Sequence, residues 1–178
     1  TLVAGTGTTT ITINPTNNFA SLTGYYLNID ATAFDDDAGN SYAGITDATT
    51  LNFTSADVVA PTLSSSTPSD NATGVAVDAN IVLTFSEAVD VESGNITIKK
   101  SSDNSTVESI DVTSGLVTGS GTNQITINPT NNLASLTSYY LNIDATAFDD
   151  SASNSYAGIT NATTLSFTSA DVVAPTII

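Results

Sequence analysis

Residues 122–150 read TNQITINPTNNLASLTSYYLNIDATAFDD, and residues 8–36 read TTTITINPTNNFASLTGYYLNIDATAFDD. The two stretches lie 114 positions apart, and the match extends outward from them until 1–64 maps onto 115–178. Thirteen of the 64 aligned pairs differ, mostly by small changes such as Phe19 to Leu133, Asp47 to Asn161 and Asn52 to Ser166. One backbone is therefore expected for both copies. Self-similarity at a fixed period marks an array. A period of 114 residues is too long for a solenoid turn and fits a whole bead-like domain. The expected organisation is the later half of one unit at 1–56, a linker at 57–61, a complete unit at 62–170, and a linker opening the next unit at 171–178. The chain reads as about one and a half beads of a longer tandem protein.

Within the quoted stretch, Ile125 and Ile127, then Tyr139, Leu141 and Ile143, alternate with polar neighbours. Period two is the mark of a strand with one buried face. The same pattern assigns strands to 62–66, 80–86 (Ile81, Leu83 and Phe85 inward), 95–99, 106–112, 116–118 and 124–128, with a short continuation at Val75 and Val77. Leu165 and Phe167 mark the last strand. Gly, Asn, Asp, Ser and Pro clusters separate these runs, and only 131–137 reads as a single helical turn. Seven or eight short strands with turns every 8–12 residues predict a two-sheet β-sandwich.

Composition limits the function. Eighteen acids face two bases, Lys99 and Lys100, for a net charge of −16. That field repels nucleic acid and anionic membrane surfaces. No apolar run is long enough to span a bilayer. The absence of Cys is compatible with secretion without disulfides. Without His or Cys, and with two adjacent lysines, the usual bases and nucleophiles are missing, so no enzyme is expected.

The run APTLSSSTPSDNATGVAVDANIVLTFSEAVD (60–90), with LASLTSYYLNIDATAF (133–148) and LSFTSAD (165–171), resembles the bacterial Ig-like domain of the SbsA type. That family occurs in tandem in S-layer proteins and large bacterial surface adhesins. The resemblance implies an all-β, Ig-like Greek-key β-sandwich in tandem repeats of about 114 residues. It implies an extracellular, cell-surface spacer or stalk in cell adhesion. Tyr25 and Tyr139 fall where a tyrosine corner would lock the strand entry through a hydroxyl-to-backbone bond. The partners implied are neighbouring repeats or copies of the same chain, with any glycan or cell-surface ligand held by domains outside these residues. The alternatives are a glycan-binding module, with Tyr26, Tyr42, Tyr140 or Tyr156 stacking on sugars, and a secreted filament subunit completed by strand exchange.

Acidic clusters are the chemical lead. Asp35, Asp36 and Asp37 crowd one loop, and Asp149 and Asp150 recur in the copy. Closely spaced loop oxygens suit Ca2+, which takes six to eight of them; the same residues also form turns. In an Ig-like topology the loop before the last strand and the loop after the second strand meet at the end entered by the linker. Asp57, Glu87, Asp90, Asp149 and Asp150 are therefore expected to converge on a calcium ion that stiffens the joint. The second copy has Ser151-Ala-Ser-Asn where the first has Asp37-Ala-Gly-Asn, which would weaken a site built on that turn. Residues 1–56 alone are expected to expose an inner face carrying Ile11, Ile13, Leu51 and Phe53.

Overall fold

The computed structural model describes residues 2–177, which divide into two compact units at Val58/Val59. The described residues contain strands and turns and no helix.

The second unit carries ten strands: β5 (Leu63–Thr67), β6 (Ala72–Val75), β7 (Ile81–Val91), β8 (Asn95–Lys100), β9 (Thr106–Asp111), β10 (Val117–Thr118), β11 (Thr122–Ile127), β12 (Ser138–Ile143), β13 (Phe148–Asp149) and β14 (Ser166–Ser169). One five-stranded sheet runs β10-β11-β7-β13, with β5 also on β7; the other runs β6-β14-β12-β8-β9. Pairing is antiparallel except for β6 on β14. Inward residues of both sheets, including Leu83, Ile125, Ile98 and Leu141, are fully buried and form one core cluster. Their period-two spacing is what puts them there.

The sheets use side chains as well as ladders to fix the chain. The Tyr139 hydroxyl accepts from the Ala134 N–H at 2.9 Å, as the tyrosine-corner reading anticipates. Ser169, 1 % exposed, accepts from the Thr137 N–H at 3.0 Å and donates to the Ala134 carbonyl. These bonds, with Leu133 N–H to Val77 O at 2.7 Å and Leu136 N–H to Ala170 O at 3.2 Å, correct the helical turn expected at 131–137. The amides there donate across to other segments, so no i→i−4 ladder forms. Tyr140 and Tyr156 are 5 % and 6 % exposed. The Tyr140 hydroxyl donates to Asn104 at 3.1 Å, and Tyr156 packs edge-on to Phe85 at 5.2 Å.

The first unit has four short strands, β1 (Val3–Ala4), β2 (Thr12–Ile13), β3 (Gly24–Tyr26) and β4 (Asn52–Thr54). They repeat local pairings of the second unit register for register. Val3 pairs with Ile13 as Val117 does with Ile127, and Gly24 with Thr54 as Ser138 does with Thr168. The Tyr25 hydroxyl likewise accepts from Ala20 N–H at 2.9 Å.

Candidate metal centre

Asp150 follows β13, and its carboxylate is the hub of a closed turn. Oδ1 accepts from the N–H groups of Ala152 and Asn154, both at 2.8 Å, and Oδ2 from the Asn154 side-chain amide at 2.8 Å. The residue is 5 % exposed. Burial alone would raise its pKa, and it is the largest single influence. The Asn154 side-chain bond and the Asn154 and Ala152 backbone bonds together outweigh it and hold the carboxyl below its ordinary value. Asp150 is thus an anion at neutral pH. A carboxylate has about four lone-pair sites, so three accepted bonds leave room for a further ligand.

Glu87 comes from an irregularity in β7. Thr84 and Val89 of β7 face Gln124 and Thr122 of β11, so five steps on one strand answer two on the other. The surplus residues bulge out of the ladder and re-aim their side chains. Glu87 lies in that bulge, half-buried. Asp57 is half-buried as well.

Among the described residues, Asp57, Glu87 and Asp150 form one group of three acids whose ligand oxygens all lie within 4.8 Å of one another. Three carboxylates this close repel, at about 3 kcal/mol per pair for an effective dielectric near 20. A divalent cation converts that repulsion into attraction. The triad could coordinate such an ion, giving three of the six to eight oxygens that Ca2+ takes.

The other five candidates are not in that group. Asp90 and Asp149 face each other as a strand pair, with Asp90 accepting from the Ser120 hydroxyl at 3.3 Å. Asp35 bridges to Ser41, and Asp36 accepts from Ala38 N–H, Asn40 N–H and the Asn40 side chain at 2.8–3.0 Å. Asp36 is therefore the first unit's counterpart of Asp150, with its pKa lowered chiefly by Asn40. Asp37 is exposed. Sequence reasoning noted the exchange at this turn but not its backbone: Ser153 takes φ 66° where the first copy has Gly39 at φ 80°. The signal was the Gly-to-Ser exchange itself: the turn is kept, with a side chain forced into the left-handed region.

Residues 57–169 match the bacterial Ig-like domain family, and the chain belongs to that family. The matched stretch opens at Asp57 and contains the whole triad. Domains of this type are non-catalytic. No curated protein matches the chain. A similar solved structure is that of CopC from Methylosinus trichosporium OB3b, with 18 % identity, 65 % of this chain and 99 % of that chain covered, and a TM-score of 0.46. No helix among the described residues is long and apolar enough to cross a membrane.

Proposed function

We propose that the chain is a spacer repeat of an extracellular bacterial surface protein, an adhesin stalk or surface-layer-like array, in which Ca2+ fastens the linker to the domain it enters. Asp57 belongs to the linker, Glu87 to the β7 bulge and Asp150 to the turn after β13, so one ion would tie three separate segments together. The observation that carries the reading is the triad's 4.8 Å spacing on a chain of net charge −16. The 114-residue duplication supports the spacer role, because length grows by copying beads without new chemistry. Each bead is read as an Ig-like Greek-key sandwich, and the repeat as a tandem one.

Small-angle scattering of the 178-residue chain in Ca2+ and in chelator tests it. The expected result is a longer, better-defined maximum dimension with Ca2+. An unchanged scattering profile removes the proposal.

A further inference from the structure

The second unit holds a cavity at the end of β7 opposite the Glu87 bulge. Residues 76–80 lead into β7 and residues 128–137 leave β11, and Ile81 pairs with Ile127, so the two loops emerge side by side. Between them lies a space of about 130 Å³, lined by Asp78, Asn128, Asn131 and Asn132 together with Pro129 and Leu133. Backbone bonds pin both loops. Leu133 N–H donates to Val77 O at 2.7 Å, Asn128 N–H to Leu116 O at 2.8 Å, and Ala79 N–H to Ala76 O at 3.1 Å. The Glu108 carboxylate takes the Thr130 N–H with both oxygens, at 3.0 and 3.1 Å. The walls are thus set before any ligand arrives, which lowers the ordering cost of binding.

Turn formation does not account for the polar side chains here. Asp and Asn in turns bind their own backbone two residues on, and Asp103, Asp111, Asp150 and Asn161 do so. Among the described residues, no side-chain hydrogen bond involves Asp78, Asn128, Asn131 or Asn132. One carboxylate and three amides therefore line the cavity with donors and acceptors uncommitted. The carboxylate accepts only, while each amide carries two donors and an acceptor. Hydroxyl groups both donate and accept, so a ring bearing adjacent hydroxyls matches this mixture. A single carboxylate draws a divalent ion weakly, because affinity rises with ligand charge. The net charge of −16 disfavours acidic ligands. Pro129 and the buried Leu133 add an apolar patch for the C–H face of such a ring.

We propose that this cavity binds one unit of a neutral glycan. Asp78 accepts from two adjacent ring hydroxyls, and the asparagine amides bond the hydroxyls beside them. The tyrosines of this unit take no part as stacking platforms, since Tyr139, Tyr140 and Tyr156 are buried in the domain. A single small site of this kind binds weakly. A tandem array presents it once per bead, and linked weak sites multiply into avidity. The stalk itself then contributes to adhesion along its length. The proposal needs no Ca2+ and is tested in chelator.

Nuclear magnetic resonance of the isotope-labelled 178-residue chain reads the asparagine side-chain amides directly. The probes are the methyl glycosides of glucose, mannose, galactose and N-acetylglucosamine, with that of glucuronic acid as the charged control. The Asn128, Asn131 and Asn132 side-chain signals are expected to shift with at least one neutral glycoside and to saturate at millimolar concentration. Asp78→Ala and Asn131→Ala should each weaken that binding by at least about tenfold. Both positions are exposed, so the fold should survive, and unchanged β7 and β11 backbone signals check it. Side-chain signals that stay in place with all four neutral glycosides overturn the proposal. So does undiminished binding in both variants, or a glucuronide that binds as well as the neutral sugars.

Discussion

The Asp150 turn sets what single substitutions should do. Ser153 sits at φ 66°, a conformation that suits glycine and strains an L side chain. Ser153→Gly should stabilise the second unit by about 0.5–1 kcal/mol in urea unfolding, some of the gain being offset by the looser unfolded chain. The pH dependence follows from the same turn. Asp150, Asp103 and Asp111 all have folded pKa values below the ordinary 3.8. Their contribution is therefore complete above that value and lost as pH falls through the depressed ones. The urea midpoint should be flat between about pH 5 and 8 and drop below about pH 4, with a shallower drop in Asp150→Asn. Tyr139→Phe removes the acceptor for the Ala134 N–H and should cost about 1–2 kcal/mol. The tyrosine bond was legible through the Ig-like resemblance, which puts a tyrosine corner at Tyr139. Ser169 was not: one serine among many gives no sign that its hydroxyl closes two backbone groups in the core.

Strands were legible wherever one face is buried and the other wet. Leu83, Phe85, Ile125 and Ile127 announce themselves by alternation, and each is buried. Two elements were hidden for physical reasons. β7 runs on to Val91, past the expected end at 86, because its bulge lets it serve β5, β11 and β13 in turn. Period two breaks across a bulge, so alternation cannot reveal the continuation. Residues 131–137 carry helix-like spacing, yet their amides answer carbonyls of Val77 and Ala170 that are distant in sequence. The duplicated elements also allow a controlled comparison. Phe167→Ala removes a fully packed ring and should cost about 3–5 kcal/mol, whereas Phe53→Ala, at the same place in a half-exposed setting, should cost well under half of that. Chemical denaturation of the two variants, followed by exchange in each unit, measures the difference.

At the scale of the molecule, charge and repetition belong together. A chain of net charge −16 with two cations cannot neutralise its own carboxylates by ion pairs, so external cations must do much of the screening. Asp57, Glu87 and Asp150 fall in one group of acids with ligand oxygens within 4.8 Å, and all three are among the residues that the sequence reading offered as calcium ligands. Sequence did not separate these three from Asp90 and Asp149, because strand phase sets which face of a strand each of two adjacent acids takes. The proposed function rests on a divalent ion held by this triad. Calorimetric titration of the 178-residue chain with Ca2+, paired with thermal unfolding, decides whether it binds. One ion per chain is expected. A hundredfold excess over Kd should stabilise the chain by about 2.7 kcal/mol, or raise Tm by about 10 °C, with both effects lost in Glu87→Gln. Absence of binding heat with an unchanged Tm, or undiminished binding in Glu87→Gln, would contradict it.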